Sequence, residues 1–342
     1  MNFFRRNKSL LNILFFFLVA GLTINAVFMN NDLETMLKGM QQISVGWLLF
    51  CVVISILFVS LESLVLALLL KREEEKLPFM KCVKYALIGY FYSGITPSAS
   101  GGQPMQLLAM TKDGFLSSRS TATLLVMAFY YKLVMVLIGG FLGLFWIDAI
   151  KEFFGIYLWV YYMGMILNIL LLTAIIALMF IPSQMEKFVN SCCNFLVKIK
   201  VLKANENRKL KIKGFISQYT DAVNYMFNAK RKIFWLILIT LIQRLLPMFI
   251  PVIICLGLPL PHDQLFTIFL IQMATYVAVD MFPLPGAQGI SEMILLQSLT
   301  PFFTTTYVGI ATVLTRGISF YLILFTGLGV VIWDQYNKRK IK

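Results

Sequence analysis

Long apolar runs set the first limit on what this chain can become. A helix needs roughly 20 predominantly apolar residues to cross the hydrocarbon core of a bilayer, because each residue advances it by only about 1.5 Å. The segments at about Leu10–Met29, Ile43–Leu70, Thr121–Ile147, Ile156–Ile181 and Ile233–Leu256 meet that length, and a sixth, about Thr304–Trp333, comes last. The first run follows Arg5, Arg6 and Lys8 in the manner of a signal peptide. No small-residue cleavage site follows cleanly, so it reads as an uncleaved span. Composition agrees: 59% of the residues are hydrophobic and 13% charged, where soluble domains run at about 45–50% and about 25%. The net charge of +14 does not make this a nucleic-acid binder, since too few polar residues remain to cover a charged surface. The expected class is an all-α polytopic membrane protein with basic flanks.

Two further apolar stretches are interrupted. Phe79–Met110 is broken by Gly94-Ile95-Thr96-Pro97-Ser98-Ala99-Ser100-Gly101-Gly102-Gln103-Pro104, and Leu265–Leu299 by Asp280-Met281-Phe282-Pro283-Leu284-Pro285-Gly286-Ala287-Gln288-Gly289. Each half is too short to cross alone, and Gly and Pro end helices. One reading is a surface loop between two short interfacial helices. The other is a re-entrant hairpin, which requires its irregular backbone to be buried in protein or to line a wet cavity.

Charge placement favours the hairpins. With the N-terminus in the cytoplasm, six spans and two hairpins, the Lys and Arg residues outside the apolar segments fall on the cytoplasmic side, save Lys38 and Lys151. Both termini are then cytoplasmic. The single domain, 1–342, divides into a first half, 43–147, with hairpin 79–112, and a second half, 233–333, with hairpin 265–299. The halves share one order of elements and have opposite orientation, the inverted-topology repeat of many secondary transporters, whose broken helices mark a central substrate site. Between them, 182–232 reads as basic amphipathic helices on the cytoplasmic surface, attracted to anionic lipids.

Few ionisable residues remain inside the apolar segments: Glu62, Lys132, Arg244, Arg316, and Asp280 and Glu292 of the second hairpin. Each costs at least about 2.5–3.5 kcal/mol at a helix centre. They are either internal ion pairs that fix helix packing or a cationic cavity for an anionic group. In the second case Lys132, Arg244 and Arg316 bind the anion. Ser98, Ser100 and Gln103 add donors, and Gly101, Gly102, Gly286 and Gln288 form the turns through which backbone approaches it. Glu62, Asp280 and Glu292 support the cations. The returning half-helices would aim N-termini, which favour anions, at mid-membrane. Tyr85, Tyr90, Tyr92, Tyr130, Tyr131 and Phe91 receive no role beyond packing.

Other chemistry has little to stand on. The one histidine is His262, and Cys51, Cys82, Cys192, Cys193 and Cys255 form no CxxC pair, so neither a metal site nor a disulfide framework is expected. Signatures of P-loop, nucleophile-elbow and zincin enzymes are missing from the sequence. No catalytic residue, metal or cofactor is expected.

The two interruptions carry a resemblance. Gly94 through Pro104, followed by Phe282-Pro283-Leu284-Pro285-Gly286-Ala287-Gln288-Gly289-Ile290-Ser291-Glu292, resembles the flippase-like membrane domain of the lysylphosphatidylglycerol synthase family, the membrane half of the multiple peptide resistance factor. It covers essentially the whole chain. The family often reads P-x-P-G-G-x-G-x-x-E, and here Ala287 stands at the second glycine.

The resemblance implies a bacterial plasma-membrane protein that moves an anionic or aminoacylated phospholipid, such as phosphatidylglycerol or lysyl-phosphatidylglycerol, between leaflets, in the context of antimicrobial peptide resistance. Full-length members carry a cytoplasmic aminoacyl-transferase domain. This chain is expected to be a stand-alone transporter without it, not an enzyme. The expected partners are the lipid itself, a lipid-modifying enzyme and a second copy of the chain, with no nucleic acid. Rival readings are a polyisoprenyl-phosphate or glycolipid flippase, a membrane enzyme acting on a lipid headgroup, and a non-transporting partner in lipid aminoacylation.

Overall fold

The computed structural model describes residues 33–70, 77–198, 208–228, 230–259 and 262–340. The expected span at Leu10–Met29 lies outside the described residues. A short helix, α1 (Leu33–Gln41), leads into the long α2 (Val45–Leu70). Then come two short helices, α3 (Phe79–Gly94) and α4 (Gly102–Lys112), and the long α5 (Ser117–Phe145). A short α6 (Ile147–Phe154) precedes α7 (Leu158–Phe180). Two polar helices follow, α8 (Pro182–Lys198) and α9 (Arg208–Phe227). The rest repeats the early pattern: α10 (Lys230–Leu245) and α11 (Ile250–Gly257) in line, short α12 (Leu265–Val279) and α13 (Ile290–Leu299), then α14 (Thr305–Arg316) and α15 (Leu322–Lys340).

Five stretches are long and apolar enough to cross a membrane: Val45–Leu70, Ser117–Phe145, Ile147–Phe180, Arg231–Gly257 and Thr306–Asn337. The protein is an all-helical polytopic membrane protein. Its breaks have local causes. Pro247 and Pro251 force a 3-10 turn, Leu246–Phe249, between α10 and α11, since proline removes a helix donor. A π-turn, Gly317–Tyr321, separates α14 from α15. Such turns inside helices mark functional sites more often than chance. Both irregularities begin just beyond a buried arginine, Arg244 in one case and Arg316 in the other.

Each interrupted apolar stretch folds into a helical hairpin. In the first, α4 lies back along α3; in the second, α13 lies back along α12. The halves interlock: α3 packs on α2 and α15, whereas α12 packs on α5, α7 and α11. Small residues permit the close approaches. A Cβ on Gly164 would stand 2.4 Å from the Ala278 carbonyl oxygen, so α7 and α12 are in near backbone contact there. The two hairpin turns, Pro97–Ala99 and Pro285–Ala287, meet each other at the centre.

The polar helices differ from the surface pair expected over 182–232. Tyr219, Ala222, Val223 and Met226 of α9 are buried with Ala122 and Val126 of α5 and Ile175 and Met179 of α7. The Tyr219 hydroxyl donates to the Leu178 carbonyl at 3.1 Å, and Ser118 donates to Gln218 at 2.8 Å. The apolar face of α9 is therefore spent on protein. Only α8 keeps large exposed apolar side chains, Phe188 and Phe195.

Candidate functional site

The two turns have one backbone design. Thr96 (φ −121°, ψ 143°) and Leu284 (φ −115°, ψ 147°) are extended, and each precedes a proline. Two residues with positive φ follow in each: Ser98 (51°) and Ala99 (53°) in one, Gly286 (57°) and Ala287 (50°) in the other. L-residues adopt this left-handed conformation at a cost of roughly 1–2 kcal/mol. This accounts for the glycine that the resemblance expects where Ala287 stands. The chain tolerates alanine because Ala287 is packed at 7% exposure, which holds the turn in place.

Between the turns lies a cavity of about 210 Å³. Ser93, Gly94 and Ala99 of the first hairpin and Asp280, Gly286, Ala287 and Ser291 of the second line it, with Tyr131, Arg316 and Phe320 from the long helices. Gln272, Thr275 and Tyr276 of α12 complete the polar wall. The Gln272 side-chain oxygen is buried and has no hydrogen-bond partner among the described residues. Buried polar atoms are ordinarily satisfied, so a lone acceptor on a cavity wall marks a place for a donor from water or ligand.

All three expected cations are buried, and each faces an acid. Lys132, 4% exposed, is bonded to Asp280 and donates to the Asn168 side-chain oxygen at 2.9 Å. Arg244 stands 3.4 Å from Glu62, its guanidinium 3.6 Å above the Tyr131 ring. Arg316 donates through Nε to Glu292 at 2.7 Å and through Nη2 to the Gly286 carbonyl at 2.8 Å. The cluster is therefore charge-balanced, which corrects the expectation of a cationic surplus. Of the three cations Arg316 lines the cavity, while Lys132 and Arg244 do not.

Several expected ligands serve the hairpins instead. A Cβ on Gly102 would meet the Ser93 hydroxyl at 2.0 Å, and one on Gly101 would meet the Thr96 methyl at 2.7 Å, so these glycines let α4 return against α3. Ser100 donates to the Pro97 carbonyl at 2.9 Å. Ser98, Ser100, Gln103 and Gln288 are off the cavity wall; Gln103 is exposed, and Gln288 is buried with its amide donating to the Tyr321 hydroxyl at 3.3 Å. The helix N-termini are also partly used. The Gly101 N–H donates to Thr96 Oγ1 at 2.9 Å, and the Gly289 N–H to Glu292 Oε2 at 2.8 Å. Glu292 accepts from Ser291 at 2.9 Å as well, so it caps α13 and anchors Arg316.

Tyr131 and Tyr90 were read as packing and are more than that. Tyr131 donates to Asp280 and carries Arg244 on its ring, and Tyr90 donates to Glu62. Gln243 donates to the same carboxylate at 2.9 Å. One buried polar chain thus runs from the second hairpin through α5, α10 and α2 to the first hairpin. Adjacency gave the only clue, with Tyr131 beside Lys132 and Gln243 beside Arg244. Gln272, Thr275 and Tyr276 were more legible, as polar residues spaced to share one face of an otherwise apolar helix.

Among the described residues no group of three or more His, Cys, Asp or Glu side chains could hold a metal ion. The family model described as "Lysylphosphatidylglycerol synthase TM region" matches residues 9–327. No curated protein matches the chain.

Proposed function

Because the chain belongs to the lysylphosphatidylglycerol synthase TM region family, we propose that it is a membrane lipid transporter that carries the phosphate of an anionic or aminoacylated phospholipid through the cavity between its two turns. The observation that carries this reading is the meeting of the two turns around Arg316, with an orphaned Gln272 acceptor on the same wall. A cavity of about 210 Å³ has the liquid volume of about seven waters at about 30 Å³ each. That suits a headgroup, so the acyl chains stay in the lipid. Arg316 is the natural phosphate ligand, since guanidinium matches phosphate geometry. Ser93, Thr275 and the cavity-lining tyrosines supply neutral hydrogen-bonding groups.

In this account the hairpins are re-entrant and enter from opposite faces. The halves form an inverted repeat, both termini are cytoplasmic, and the membrane is the bacterial plasma membrane. The matched backbone of the two turns supports the repeat. Rocking of one half against the other around a fixed midplane site would expose the headgroup to each side in turn. The protein acts here as a transporter and not as an aminoacyl transferase.

Reconstitution in liposomes with fluorescent lipids of varied headgroup tests the proposal. Wild-type protein should move phosphatidylglycerol between leaflets. The paired variant Arg316→Gln, Glu292→Gln leaves no orphaned charge and should slow movement at least about tenfold, the loss of one charge-assisted hydrogen bond of about 1.5–3 kcal/mol. Equal rates for both proteins would refute the site.

A further inference from the structure

The cluster around the cavity holds three cations, Lys132, Arg244 and Arg316, and three acids, Glu62, Asp280 and Glu292, paired one to one. An unbalanced charge in a low-dielectric interior is expensive. A phosphodiester that enters this cavity brings one negative charge and breaks the balance. Something must restore it, and resting on the phosphate-binding reading above, we propose that a proton does so: Asp280 takes up one proton for each anionic lipid headgroup bound, so that transport of the anion is coupled to proton movement.

The geometry singles out Asp280 among the three acids. Glu292 is consumed by the Gly289 N–H, Ser291 and Arg316. Glu62 is held by Tyr90, Gln243 and Arg244, and neither of these carboxylates lines the cavity. Asp280 does line it. The groups that face Asp280 are Lys132 and Tyr131 from α5, with Arg244 behind the Tyr131 ring. Across the cavity stand Tyr276 from its own helix, Tyr90 from α3 and Arg316, the last already paired with Glu292. From α7, Asn168 holds Lys132, and neither α7 nor α11 carries a charged residue.

Protonation turns the carboxylate into a neutral acid, and the Lys132 charge it had matched then balances the incoming phosphate. Lys132 keeps its bond to Asn168 meanwhile. A metal cation would be a poor substitute, because the Asp280 oxygens face two donors, the Tyr131 hydroxyl and the Lys132 ammonium, and not a set of further oxygen ligands. Exit of the phosphate reverses the change, and Asp280 releases its proton to whichever side the cavity then faces.

Calorimetric titration tests this without transport. Detergent-purified protein is titrated with short-chain phosphatidylglycerol in two buffers of different ionisation enthalpy, neither of them phosphate. Uptake of about one proton per lipid bound is expected for the wild type. Binding without proton uptake overturns the coupling and leaves the phosphate site standing, whereas failure to bind overturns the phosphate site and the coupling together. Asp280→Asn should bring the uptake per lipid to near zero. The double variant Asp280→Asn, Lys132→Gln, which orphans no charge, serves the same test if the single change unfolds the protein. Uptake that stays near one proton in either variant overturns the assignment to Asp280.

Discussion

The two turns at the centre of the molecule follow one backbone path in opposite surroundings. Around Pro97 the turn is open, with Pro97, Ala99 and Ser100 exposed, and its own hydroxyls hold it: Thr96 donates to the Tyr92 carbonyl at 2.6 Å and accepts from Gly101. Around Pro285 the turn is covered. Pro285, Ala287 and Gln288 are buried, Arg316 reaches the Gly286 carbonyl, and the Phe320 ring lies so close that a Cβ on Gly286 would stand 2.2 Å from it. The conformation of such a turn is thus local, set by proline and two left-handed residues, while its role is set by what covers it. Ser98 can carry a side chain where Gly286 cannot, although both hold the same φ.

Charge against hydroxyl gives the largest expected contrast. Arg316→Ala leaves Glu292 buried without its cation and should lower stability by about 3–5 kcal/mol. Thr96→Ala at the open turn should cost only about 1 kcal/mol. Thermal unfolding in detergent compares the two, and equal losses would erase the distinction. Next is Gly286→Ala, which combines overpacking against Phe320 with a strained φ, at about 2–4 kcal/mol. Ser98→Ala should change stability by less than about 0.5 kcal/mol, and Phe320→Ala should recover part of the Gly286→Ala loss in a double-mutant cycle.

Access should differ too. A cysteine at Ser100 should react with a soluble maleimide at least about tenfold faster than one at Gln288, because the covered position must open before it reacts. Equal rates would mean that the second turn is not covered in solution. The smallest effect sharpens the shared feature. Ala99→Gly and Ala287→Gly each relieve a left-handed alanine and should stabilise by at most about 1 kcal/mol. Similar gains at both turns would establish that the backbone strain is common and only the covering differs.

Much of this was readable from residues. Apolar run length located the five stretches that are described as long helices, and the Gly and Pro clusters located both hairpins, because each signal depends on local chemistry. The six intramembrane charges were also found, since ionisable residues stand out in apolar helices. Their partners were not. Lys132 and Asp280, or Arg244 and Glu62, lie far apart in sequence, and only the interlocking of the halves brings them together. Gly101 and Gly102 were misread for a related reason: a glycine that admits a ligand and one that admits a neighbouring helix look alike until the neighbour is seen. The docking of α9 was hidden because its apolar face serves a membrane surface and a protein groove equally well.

The central claim is that a lipid phosphate occupies the cavity between the turns. Photo-crosslinking with phosphatidylglycerol that bears a photoreactive headgroup tests it most directly in reconstituted protein. The account predicts adducts on peptides from both turns, within residues 93–99 and 284–291, that unlabelled phosphatidylglycerol suppresses. Adducts confined to the outer faces of the long helices, with none at either turn, would contradict it.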